Sequence, residues 1–275
     1  MNDTETTEQN GQIENAGSEP VSNGELSHSD KMIGVFTEPG ETFDRTSKFP
    51  PRHKDWVIPL LVLFILIGIT RSISMLDEEV FYTAKQEQIE RIQQSVEDGS
   101  RTSEEGDQAI EAVEQQMEFM RGPVGWIIQT VATLIFGFIF FFLIVGIYFF
   151  FIKVLLKGDG TYASALVANG LTAYISIIQV IIAAILTMVM GKMLQETSLA
   201  AFMGSDKDTI IGWIYAKINP ISIWAYIVLS IGFAKMFKSQ SSGKYFTLVF
   251  GLWLIGGLLI FFLAQAIPFL NVLNR

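Results

Sequence analysis

Five apolar runs, each long enough to cross a bilayer, take up most of the chain beyond Trp56: about 56–76, 124–152, 165–190, 218–237 and 245–269. A hydrocarbon core of about 30 Å needs about 20 helical residues at about 1.5 Å each. Water is missing there, so every backbone group needs a partner in the protein, and only helices or closed barrels span. The runs are continuous rather than alternating, which selects helices. The sequence therefore predicts an all-α integral membrane protein. Five transmembrane helices make one membrane domain over 56–270, with a polar helical hairpin over 77–121 between the first and second. A disordered polar tail over 1–30 and a juxtamembrane segment over 31–55 precede it.

Charge is unevenly placed. The formal net charge is −9, yet the stretch from Asp77 to Arg121 alone holds 13 acidic and 4 basic residues. The first 31 residues add 7 acids and a single Lys, whereas 9 basic and 4 acidic residues follow Gly122. Acidity thus belongs to the tail and the hairpin, which argues against nucleic acid as a partner. The chain has no Cys, which removes disulfides, thiolate nucleophiles and Cys-anchored lipids. Met1 to about Asp30 carries no apolar core of a secretory signal and is too polar to offset its ordering entropy.

Between Lys31 and Pro50, apolar residues (Met32, Ile33, Val35, Phe36, Phe43, Phe49) mix with polar ones, as in a short interfacial helix or an irregular linker on the bilayer surface. In the hairpin, Ile89, Ile92 and Val96 share helical spacing, as do Ile110, Val113, Met117 and Met120. Asp98-Gly99-Ser100 interrupts, and Thr102 with Glu105 forms a capping box for the second helix. The second span is ringed with Phe and should face lipid on several sides. The third carries Ala165, Ala168, Gly170, Ala173, Ala183 and Ala184, whose small side chains permit close approach and a central position. Basic residues crowd the span ends at Lys48, Arg52 and Lys54, at Lys153 and Lys157, and at Lys235, Lys238 and Lys244. With alternating helices these fall on one side, which makes the amino terminus cytosolic and the carboxyl terminus opposite.

This order of elements resembles the Yip family, named for interaction with Ypt/Rab GTPases. The likeness rests on Phe36, Pro39, Glu41, Thr42 and Phe43 before the first span and on Lys157-Gly158-Asp159-Gly160-Thr161-Tyr162 after the second. Asn219-Pro220-Ile221-Ser222-Ile223-Trp224 resembles the start of the family's fourth helix, and Lys235-Met236-Phe237-Lys238-Ser239 with Gly243-Lys244 resembles the link into the fifth. Ile221 stands where the family usually has Phe, and Leu171–Val180 lacks a Pro common in the third helix. The resemblance implies a five-helix protein with a cytosolic amino terminus. A small GTPase is implied as partner only for eukaryotic-like members. The long acidic hairpin resembles the bacterial style, in a cytoplasmic membrane.

Catalytic chemistry finds little support in these residues. Asp77-Glu78-Glu79 has no His on a later helix to complete a metal site, and no Ser has a His partner within a span. The expectation is a non-enzymatic scaffold or adaptor without metal or cofactor. Its partners would be the lipid bilayer and other membrane proteins or further copies of itself. The alternative is a small passive channel or transporter. Gln129, Asn169, Gln179 and Gln265 are costly against lipid and should face other helices, where Asn169, Gln179 and Gln265 form the candidate polar site. Lys217 and Asn219 stand at a span mouth.

Overall fold

A computed structural model describes residues 24–266, and every regular element in that range is a helix. Two short helices come first, α1 (His28–Thr37) and α2 (Pro39–Thr46), then the long α3 (Lys54–Ser74). The hairpin is α4 (Glu78–Glu97) and α5 (Ser103–Arg121). Next come α6 (Pro123–Phe151), prolonged by a π-helical turn over Ile152–Leu156, and α7 (Tyr162–Met190). Short α8 (Leu199–Met203) and α9 (Ile210–Lys217) lead into α10 (Pro220–Met236). The last helical column is α11 (Gly243–Gly251), a π turn over Leu252–Gly256, and α12 (Gly257–Ala266).

Four helical columns are long and apolar enough to cross a membrane: Lys54–Ser74, Pro123–Leu156, Tyr162–Met190 and Gly243–Gln265. The expected fourth span differs. α10 has 17 residues, about 26 Å at 1.5 Å per residue, which falls short of a bilayer core. It reaches spanning length only together with α9, from which it is bent by 62°. Pro220 at the first turn of α10 lacks the N–H that would continue the preceding helix, so the break falls where proline chemistry puts it.

Two expectations near the amino terminus need correction. Residues 24–30 are not part of a disordered tail: Ser27 caps α1 through a capping box with Asp30. Residues 31–50 are mostly helical rather than an irregular linker. They form the two helices of a collar packed onto protein, with Val35 and Phe43 fully buried. The rest of the expected tail, residues 1–23, and the end of the expected last span, residues 267–270, lie outside the described residues.

The expectations about packing hold. α7 is the central helix, and Ala165, Ala168, Leu171 and Ile175 are all fully buried along it. α3 comes so close to it that a Cβ at Gly170 would collide with the Trp56 backbone. α6 faces outward with Phe136 59% and Phe150 58% exposed, surface that lipid covers at no cost. Phe64 packs against Gly137 of α6, where a Cβ would come within 2.8 Å of the ring. The hairpin turns at Gly99, whose φ of +77° favours glycine, and the Thr102–Glu105 capping box opens α5. Its base is its best-packed part: Met75, Phe81, Ala84 and Met117 cluster with Val113 and with Met193 beyond α7. The collar, the α6–α7 turn and the α10–α11 turn therefore share one end of the bundle, and the hairpin with the α7–α9 connection occupies the other.

Gly170→Ala should lower the stability of the detergent-solubilised protein by about 1–3 kcal/mol, because the added methyl meets backbone rather than a movable side chain. Gly146→Ala, where a Cβ meets nothing within 4 Å, should leave the thermal midpoint unchanged or raise it. Equal midpoints for wild type and Gly170→Ala would refute the α3–α7 contact.

Candidate functional site

A carboxylate at the mouth of the first membrane helix organises the polar interior. Asp55 lies in the first turn of α3 and is fully buried, where the positive end of the helix dipole favours a negative charge. That effect cannot by itself balance burial, so the carboxylate takes a cation. Lys31 of α1, 2% exposed, places its Nζ 2.5 Å from Asp55 Oδ2. His28, one turn earlier, brings Nδ1 to 2.9 Å from Asp55 Oδ1 and Nε2 to 2.7 Å from the Tyr174 hydroxyl of α7. A carboxylate only accepts, so Nδ1 carries the proton and donates to Asp55. In the neutral ring Nε2 then accepts from Tyr174 O–H. Glu25 extends the cluster, 3.7 Å from Lys31 Nζ and paired with Arg52. Two cations and two carboxylates balance, which makes the burial tolerable.

A carboxylate, an imidazole and a phenol in sequence form a geometry suited to moving a proton. Here each contact joins a different element: α1 to α3 through Lys31 and His28, and α1 to α7 through His28. Both ring nitrogens of His28 are occupied in that joint. Among the described residues no group of three or more His, Asp or Glu is placed to hold a metal ion.

The second tie of the collar lies on α2. Asp44 Oδ2 accepts from Lys48 Nζ at 2.8 Å, and Oδ1 faces Lys235 of α10 at 3.8 Å. The hydrogen bond from Lys48 and the charges of Lys48 and Lys235 hold the Asp44 carboxyl below its ordinary range, against a smaller opposing effect of burial. A depressed carboxylate adds stability above its unfolded value of about 3.9 and loses it as pH falls through the folded value. This contact therefore stays intact throughout the neutral and mildly acidic range. Between α1 and α2, Asp30, Ile33, Glu38, Glu41 and Arg45 line an outward cleft of about 250 Å³.

The motif residues named above are packing and capping devices, most of them at the same end of the bundle. Pro39 opens α2 at a position where a missing N–H costs nothing. Phe43 lies over Gly232 of α10, where a Cβ would sit 3.0 Å from its ring. Trp224 meets Phe36 of α1 with centroids 5.8 Å apart. At Gly158 and Gly160 a Cβ would press to 2.8 and 2.7 Å from the Phe237 ring, so glycine there permits close approach of the α6–α7 turn to α10. Asn219 caps α10, its Oδ1 accepting from Ser222 N–H and from the Thr197 hydroxyl, both at 3.2 Å. Pro220 is the first residue of α10.

Asn169, Gln179 and Gln265 each have a partner of their own. Asn169 donates to the Ala165 carbonyl one turn back at 3.0 Å. Gln179 accepts from the Ser222 hydroxyl at 3.2 Å, and Gln265 donates to the Asp208 carbonyl at 3.1 Å. No hydrogen-bond partner is shared among the three. Lys217 sits over Trp213 and Trp253, its Nζ 5.1 and 5.7 Å from the ring centroids.

Sequence reasoning missed the Asp55 cluster. Its members are 24 and 27 residues apart along the chain, and 146 for His28 with Tyr174, separations with no periodic signature. The available signal was Asp55 itself, a carboxylate directly abutting the apolar run at Trp56.

Compared with known proteins, the family model described as Yip1 domain matches residues 33–264, from α1 through the last helical column. No curated protein and no solved structure matches the chain.

Asp55→Asn should free the collar, because it strands the buried Lys31 charge at a cost of about 3–5 kcal/mol. Limited proteolysis between Lys48 and His53 should accelerate at least tenfold, and adding Lys31→Met to the same variant should restore much of the resistance. A single variant as resistant as wild type would refute the clamp.

Proposed function

The chain belongs to the Yip1 domain family, and we propose that it acts there as a non-enzymatic membrane scaffold or adaptor. It is a membrane protein with several apolar helices of spanning length. The observation that carries the proposal is how its polar groups are used. His28, Lys31, Asp55 and Tyr174 are occupied in fastening the collar to α3 and α7. The collar becomes a fixed platform whose outer side presents Ile33, 57% exposed, beside Glu38 and Glu41. A platform held by buried charge, with mixed apolar and acidic chemistry outward, suits a soluble or membrane-bound protein partner. A small GTPase fits only in a eukaryotic-like setting. Lipid-facing α6 offers a second surface for other membrane proteins or another copy of the chain. A solute path through Asn169, Gln179 and Gln265 is less favoured by geometry, because each amide is engaged separately.

In this reading α9 and α10 form one bent span, making five, in the cytoplasmic membrane of a bacterial cell. The collar and the lysine-rich turns face the cytosol, and the hairpin and carboxyl terminus the other side. Local density of Lys and Arg at the collar end supports that orientation.

Three experiments test these statements. A photocrosslinking residue at Ile33 in native membranes should give discrete adducts of reproducible mass, which Asp55→Asn should weaken. A ladder indistinguishable from an uncrosslinked control would overturn the scaffold reading, as would solute flux into liposomes that Asn169→Leu abolishes. Because the chain has no Cys, single substitutions report topology directly. Lys48→Cys and Gln240→Cys should react with an impermeant maleimide from the cytosolic face, and Ser100→Cys and Ser205→Cys from the other. Gln240→Cys and Ser205→Cys labelled from the same face would eliminate the fifth span.

A further inference from the structure

Away from the collar clamp, the α6–α7 turn and the α10–α11 turn enclose a cleft of about 370 Å³ at the end of the bundle. Lys157, Lys238 and Lys244 line it, with Asp159, Ser239, Ser241 and Tyr245. Three lysines and one aspartate line it, an excess of two positive charges. None of the three lysines forms an ion pair among the described residues. Lys153, on the preceding turn, is already used, donating to the Gly158 carbonyl at 2.9 Å.

Two further observations indicate that an anion belongs in this cleft. Tyr245 is fully buried, and its hydroxyl, with the Ser239 side chain as neighbour, makes no hydrogen bond of good geometry. It reaches under the Gly158 backbone, where a Cβ would be 2.9 Å from the oxygen. Ser239, the hydroxyl closest in role, donates instead to the Ser241 carbonyl at 2.9 Å. A buried phenol O–H without a well-aligned acceptor can donate to an anion that enters the cleft. The second observation concerns the backbone. Lys157 and Lys238 are the only described non-glycine residues with positive φ, 52° and 54°. Both follow a helix end, where glycine is the usual residue because a Cβ is disfavoured. At both positions the chain has a lysine instead, and both lysines line one cleft. α11 also opens here without a side-chain cap on Ser242, so its positive end adds to the field.

We propose that this cleft binds a phosphate group, held by Lys157, Lys238 and Lys244 with the Tyr245 hydroxyl donating to a phosphate oxygen. The cleft sits where spanning helices end, which is the depth of lipid headgroups. An anionic phospholipid and a free phosphate in solution share the chemistry, and both are to be distinguished by experiment. Basic pockets between membrane helices take lipid headgroups in this way.

The variants remove charge without straining the fold, since glycine relieves the positive φ at both positions. The detergent-purified full chain is titrated with phosphatidylglycerol, cardiolipin and phosphatidylcholine, and adducts are counted by native mass spectrometry. Inorganic phosphate is titrated separately against the thermal midpoint. Preferential retention of the two anionic lipids over phosphatidylcholine, reduced at least tenfold in Lys157→Gly/Lys238→Gly and several-fold in Tyr245→Phe, supports a lipid headgroup. A rise in midpoint with inorganic phosphate, absent in the double variant and without lipid preference, supports a free phosphate. Equal retention of all three lipids together with no response to phosphate overturns the proposal. So does any anion response that the double variant retains in full while remaining folded. The scaffold reading plays no part in either outcome, so the two stand or fall separately.

Discussion

A carboxylate in the first turn of a membrane helix must find its counter-charge inside the protein. Asp55 has that position, and the arrangement of the collar follows from it. Lys31 and His28 come from a helix that by composition alone could lie loose on the membrane. With their polar ends committed to Asp55, the apolar side of α1 is turned toward α7, and Val35 is buried with it. The next helix then has one way to continue. Phe43 lands on Gly232, Asp44 meets Lys235, and α10 is joined to the amino terminus although almost 200 residues separate them in the chain.

Glycine positions do complementary work between the spanning helices. Gly170 lets α3 rest on α7, Gly137 accepts the Phe64 ring, and Gly158 and Gly160 let a turn settle onto Phe237. Membrane helices gain no hydrophobic energy from meeting each other, so close contact and dispersion decide which faces pair. This accounts for the split between α7, rich in small residues and central, and α6, rich in Phe and turned outward. It also explains why the residues that mark the family are packing residues. They set distances between elements.

The two ends of the bundle have opposite electrostatic character. One gathers the collar, the α6–α7 turn and the α10–α11 turn, with lysines concentrated near the spans. The other holds the hairpin, whose order comes from its base, where Arg121 lies 4.4 Å over Phe81 and Lys85 pairs with Glu114 at 2.8 Å. Acidic residues thus gather at one end of the bundle and lysines at the other.

Solvent and periodicity made much of this legible from sequence. Apolar runs located the helices of spanning length, the Thr102–Glu105 box placed the start of α5, and small against bulky residues told α7 from α6. These features are local, each set by residues a few positions apart or by the lipid around them. The collar clamp, the bend between α9 and α10 and the separate partners of Asn169, Gln179 and Gln265 were decided only in three dimensions. A charge pair such as Lys31 with Asp55 depends on where two helices meet, and helical periodicity carries no record of that. The same holds for Lys157, Lys238 and Tyr245, which come from three segments and become one cleft only when the turns are brought together.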